Sequence, residues 1–163
     1  MAGEANGTNK GGDGQDVRKR LEQLQADFLK EMDFPEEYLT PAYQHGVALY
    51  ENGRYEEAGQ VFGFLAACHS TNPRLWKALG AAHKMCGRHA EAITAFSLAV
   101  KTGSEDPWVP VHAAECLMHM QRYPEAVAAL KHAALAAETS EEAPAVRRRL
   151  NALIEGVERS LAA

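Results

Sequence analysis

Gly53-Arg54-Tyr55-Glu56-Glu57-Ala58 returns as Gly87-Arg88-His89-Ala90-Glu91-Ala92, and again as Gln121-Arg122-Tyr123-Pro124-Glu125-Ala126. The three arginines lie 34 residues apart, as do Glu57, Glu91 and Glu125. The same frame superposes Gly46, Gly80 and Ala114, then Phe62, Phe96 and Leu130, and it places Pro73 on Pro107. A register kept at so many positions is a tandem repeat, and this period belongs to stacked helical hairpins. Gly46, Gly80 and Ala114 fall in the first helix of each pair and Ala58, Ala92 and Ala126 in the second, where small side chains let helices approach closely. Phe62, Phe96 and Leu130 are expected to fill the space between one pair and the next. Asn72-Pro73 and Asp106-Pro107 read as N-cap followed by first helical residue, and Thr40-Pro41 offers the same signal two residues out of register. Gly53 and Gly87 supply the turn inside a pair, so Gln121 predicts a third turn that differs in detail.

The repeats are expected over 39–72, 73–106 and 107–138. Before them, residues 1–16 hold Gly3, Gly7, Gly11, Gly12 and Gly14 among polar neighbours, the composition of a disordered tail. Val17, Leu21, Leu24, Phe28 and Met32 then make one apolar stripe, predicting a helix over 17–34. It has no obvious partner inside the array, which makes it a candidate dimerisation element. After the repeats, Val146, Leu150, Leu153, Val157 and Leu161 predict a helix over 144–162 that caps the open end. The fold class is therefore all-α: a solenoid of three tandem repeats with an N-terminal helix and a C-terminal capping helix.

Composition narrows the function classes. Alanine and leucine dominate an apolar share of 46%, which favours helices. A formal net charge of -5 argues against nucleic acid, and the Arg147-Arg148-Arg149 run reads as a solvated helix face. Cys68, Cys86 and Cys116 form no CxxC pair and no disulfide framework, which suits a reducing compartment. With no export signal and no long apolar run, a cytoplasmic, non-membrane protein is expected. No phosphate loop or nucleophile elbow is present, so no catalytic residue, cofactor or metal is expected. One rival is a zinc site built from His112, Cys116 and His119, at helical spacings with Glu115 adjacent. It lacks HExxH or a paired CxxC, and His112 and Cys116 are better read as filling space between repeats.

Trp76, Leu79, Gly80, Ala92, Phe96 and Ala99 resemble the tetratricopeptide-repeat pattern, most fully in the middle unit. Pro110-Val111-His112-Ala113-Ala114-Glu115-Cys116-Leu117, with Gly53–Ala58 and Leu79-Gly80-Ala81, is similar to a signature of the class II translocator chaperones of bacterial type III secretion. That resemblance covers roughly residues 20–140. It implies a cytoplasmic chaperone that consumes no ATP and keeps two pore-forming translocator proteins soluble and apart until secretion. It also implies homodimerisation through an N-terminal helix, and it leaves a transcriptional regulator as a candidate partner, since some members act in gene regulation.

Stacked pairs curve, so the first helices line a concave surface. Its inward positions are Tyr43, Val47 and Tyr50 in the first repeat, Lys77, Ala81 and Lys84 in the second, and Val111, Glu115 and Met118 in the third, with Tyr55 opening the neighbouring helix. The tyrosines are either ordinary packing residues or anchors gripping an extended peptide, which an apolar ring with a polar tip suits. The family resemblance carries groove roles onto Tyr43, Val47, Tyr50, Tyr55 and Phe96. Lys77 departs from it, standing where members often have an apolar residue. Two other readings remain beside the chaperone. A scaffold that clamps a terminal carboxylate would have only Lys77 and Lys84 to use. A generic repeat scaffold would bind a partner peptide with no secretion role.

Overall fold

The computed structural model describes residues 35–138 and 143–162, together with positions 16, 19, 20, 23, 24 and 27. The chain divides into two compact units, Met1–Phe34 and Pro35–Ala163. In the first unit the six described positions are helical and Leu24 is exposed. Of the expected tail at 1–16 only Asp16 is described, and it is helical; the rest of the tail, with Val17, Leu21, Phe28 and Met32 of the expected stripe, lies outside the described residues.

The described residues of the second unit are all helix and turn. Its helices are α1 (Glu36–Glu51), α2 (Tyr55–Cys68), α3 (Pro73–Met85), α4 (His89–Lys101), α5 (Trp108–His119), α6 (Tyr123–Ala137) and α7 (Ala143–Ala162). Each packs on the next in the chain, and α5 reaches past α6 to α7 as α3 reaches past α4 to α5. The result is an α-solenoid of helix pairs. In it α7 takes the place of the first helix of a further repeat, burying Val146, Leu150, Leu153 and Val157.

Turns inside the pairs share one geometry. Gly53, Gly87 and Gln121 all take left-handed backbone, with φ of 76°, 72° and 59°. In each the following arginine N–H reaches back to a carbonyl in the last helical turn: Arg54 to Leu49, Arg88 to His83 and Arg122 to Leu117, all at 2.9 Å. That is a Schellman closure, which satisfies carbonyls left over at a helix end. The third turn therefore does not differ as the sequence suggests; Gln121 is held in the glycine conformation by the same pair of hydrogen bonds.

Helix starts follow the capping signals in part. Asn72 accepts the Arg74 N–H at 3.1 Å with Pro73 behind it. Asp106 accepts the Trp108 N–H at 2.9 Å, so it caps α5 although the helix begins one residue later than expected. Thr40-Pro41 starts nothing. α1 already runs from Glu36, with Pro35 before it and Pro41 inside it, because Glu36 and Glu37 favour an N-terminus there.

The aromatic positions share clusters with the next pair as expected, Phe62 with Leu79 and Ala82 and Phe96 with Val109 and Cys116, and they also enter their own pair. A Cβ placed on Gly46 would lie 2.6 Å from the Phe62 ring, and one on Gly80 2.6 Å from the Phe96 ring. Each phenylalanine is thus driven into its own helix pair, where a bare glycine makes room. In the third pair the partners become Ala114 and Leu130, both buried. A methyl is gained on one helix where a ring is lost on the other. The substitution conserves volume, as a close-packed core demands.

Candidate functional site: the inner face of the first helices

The first-repeat residues lie together on α1 and α2. Tyr43, Val47 and Tyr50 are partly buried and pack on the cluster of Leu49, Ala58, Phe62, Leu79 and Ala82. The Tyr43 ring sits 5.5 Å from the Phe62 ring, and the Arg74 guanidinium lies over it at 4.2 Å. Tyr50 meets Tyr55 edge-on at 5.1 Å. Burial, and then the neighbouring Tyr55, push the Tyr50 hydroxyl above the ordinary tyrosine value. Both tyrosines have partners within the chain and still keep part of each ring in water. That arrangement holds an apolar surface in one conformation, so little side-chain freedom is lost when a ligand covers it.

Further along, the inner face changes character. Lys77 Nζ pairs with Asp106 at 2.7 Å. Burial would raise the Asp106 carboxyl, but bonds from Lys77 and the Trp108 amide hold it below its usual value. Ala81 is half-buried. Lys84 bonds Glu115, which Arg149 of α7 also grips through two nitrogens. His112 Nδ1 lies 3.1 Å from Lys84 Nζ and 3.2 Å from Glu115 Oε2. One Nδ1 serves one of them at a time, accepting from Lys84 when bare and donating to Glu115 when protonated. Burial raises the Glu115 carboxyl, yet His112, Lys84 and Arg149 together hold it far below the carboxylate range. Met118 is half-buried beside this group.

Two expected groove residues are core. Phe96 is 1% exposed, closed over by Gly80, and Val111 is 0% exposed within the α5–α6–α7 cluster. Neither side chain offers appreciable surface to solvent. Phe96, like its equivalent Phe62, is a second-helix residue that faces the glycine of its own pair, and Val111 is enclosed among α5, α6 and α7. Sequence reasoning also passed over Asp106 and Arg149. Arg149 was grouped with a solvated run, although it stands 34 residues from Glu115 with opposite charge, the one signal that could have found it.

The residues of the rival sites are otherwise engaged. Cys116 is 0% exposed, and burial pushes its thiol up to about 11. His119 stacks on His89, with centroids 4.7 Å apart. Among the described residues no three of His, Cys, Asp or Glu are grouped to hold a metal ion. Lys77 and Lys84, the only candidates for a terminal-carboxylate clamp, bond different acids of this chain, Asp106 and Glu115, and so do not converge on one carboxylate. No described helix is long and apolar enough to cross a membrane.

Residues 87–150 match the tetratricopeptide repeat family. Over 92 residues the chain is 32% identical to low calcium response locus protein H of Yersinia pestis, which covers 56% of this chain and 55% of that protein. The alignment thus spans about half the length of the curated relative. The fold is shared with the Yersinia enterocolitica type III secretion chaperone SycD, crystallised with a peptide of the translocator YopD. The TM-score is 0.73 and the identity 26%, over 78% of this chain and 98% of that one. PcrH from Pseudomonas aeruginosa superposes with a TM-score of 0.70 at 25% identity, over 77% and 95%. The solenoid is a tetratricopeptide-repeat fold, and the chain resembles type III secretion translocator chaperones in both sequence and architecture.

Proposed function

We propose that this chain is a cytoplasmic chaperone of bacterial type III secretion. It binds hydrophobic translocator proteins along its inner face and keeps them soluble and secretion-competent, by binding and not by catalysis. The observation that carries this reading is a fold shared over nearly the whole length of a secretion chaperone whose crystal structure holds a translocator peptide. Tyr43, Val47, Tyr50 and Tyr55 anchor the client at the first repeat, with Ala81, Lys77, Lys84 and Met118 lining its further course.

The physics needs no reactive group. An extended segment laid on the tyrosines hides a few apolar side chains, each contributing about 1.5–3 kcal/mol when fully buried. Ordering of the segment offsets much of that sum, so binding stays weak enough for a secretion apparatus to reverse.

The test is co-expression with membrane-active secreted proteins encoded beside it. One of them is expected to move from the insoluble to the soluble fraction and to co-purify with the chain. If every candidate stays insoluble, and none is retained, the reading fails. A second copy of the chain is the other proposed partner, joined through the 17–34 segment. Removing residues 1–33 is then expected to halve the solution mass in sedimentation with helical content largely kept, and an unchanged mass excludes that route. A transcriptional regulator is the remaining candidate partner, to be sought in the same co-purification.

A further inference from the structure

At the far end of the inner face two cations converge on one carboxylate. Lys84 and Arg149 both bond Glu115, which leaves one positive charge unbalanced on a chain whose net charge is -5. Depth sorts these charges. The Glu115 side chain is 11% exposed, that of Lys84 25% and that of Arg149 48%. The two cationic side chains are therefore more open to solvent than the carboxylate they share. The same residues line a cavity of about 420 Å³, where Met118 and Leu153 supply apolar wall.

We infer that this cavity is a binding site for an acidic side chain, glutamate or aspartate, carried within the extended client segment. Its methylene groups rest on Met118 and Leu153, and its carboxylate meets Arg149 and Lys84. Guanidinium is suited to this task, because its fork of donors can hold a second carboxylate while keeping the first. A lone charge in water would gain little, but here the pocket is partly desolvated and the donors are already fixed by Glu115. The inference rests on the groove reading above and adds direction to it. The equivalent positions Val47, Ala81, Glu115 and Arg149 run from apolar to charged, so a client must present apolar residues to one end and an acid to the other.

The test is selection from a phage library of random peptides fused through their C-termini, so that no peptide offers a free terminal carboxylate. Full-length wild type, Arg149→Gln, Arg149→Lys and Glu115→Gln serve as bait. Wild type is expected to enrich peptides with apolar anchors and an acidic residue at a constant offset. Arg149→Gln is expected to keep the anchors and lose the acid, Arg149→Lys to keep both, and Glu115→Gln to sharpen the acidic preference. Replacing that acid by its amide in a selected peptide should weaken binding to wild type about tenfold, and to Arg149→Gln less than about twofold. Apolar enrichment without acid in the wild-type pool overturns this inference and leaves the groove reading standing. Acid without apolar anchors overturns the groove reading and this inference with it, as does a pool with neither. The wild-type pool decides even if a variant fails to fold.

Discussion

Gln121 and Gly80 show how one side chain sets the local balance. A non-glycine residue at positive φ is strained by about 1 kcal/mol or somewhat more, because its Cβ crowds the carbonyl. Gln121→Gly is therefore expected to raise stability by up to about 1 kcal/mol in chemical denaturation, with Gly87→Gln lowering it by a similar amount. Gly80→Ala places a methyl where the Phe96 ring now lies and is expected to cost about 1–3 kcal/mol. Adding Phe96→Leu should recover much of that loss, since the third pair already works with Ala114 and Leu130. Strictly additive losses in that cycle would mean the two positions do not meet. The 34-residue frame marks these positions as small or large from sequence alone. It does not say which helix a ring enters, because the period fixes residue spacing and leaves the rotation of each helix to packing. For the same reason the frame points Val111 into the groove, and the family resemblance does so for Phe96, whereas packing puts both in the core.

The element with most at stake is α7. Its inner contact with α5 passes through Arg149 and Glu115, and its apolar stripe covers α6. The stripe was legible because Val146, Leu150, Leu153 and Val157 keep helical spacing. The ion pair was not, since a run of three arginines looks alike from sequence whichever of them turns inward. Glu115 is held below its ordinary value of 4.5 in the folded chain. A lowered carboxyl stabilises the fold fully above the unfolded value, and the contribution is lost as pH falls from there through the folded value. Denaturation between about pH 6 and about pH 3 should show stability falling with acid, and the fall should be shallower in Glu115→Gln. An equal slope in both proteins would show that the cluster does not anchor α7. Cys116 gives a second check on the same packing. Its buried thiol should stay unalkylated in the folded protein while the half-exposed Cys68 and Cys86 react, as mass spectrometry can read residue by residue.

For the whole molecule, binding and stability are expected to separate along the inner face. Tyr43→Ala and Tyr50→Ala should each weaken a client peptide by roughly 1–3 kcal/mol, the range of interface aromatics. Tyr43→Ala should also cost some stability, because that ring packs on Phe62 and under Arg74, and Tyr43→Phe should keep both properties. Wild-type affinity in both alanine variants, with folding intact by circular dichroism, would remove the first repeat from the site. The pattern of helix neighbours has a consequence for time as well as for energy. Among the described residues no helix of the solenoid makes substantial contact with another more than two steps along the chain. Few distant segments must find each other, so the entropic barrier to ordering is small and folding is expected to be fast. During synthesis α1 and α2 leave the ribosome before the later helices of the solenoid, and each later hairpin has a template already waiting. On the reading proposed above, a translocator made nearby at the same moment would meet the first repeat already assembled, while α7 and the far end of the inner face are still being translated.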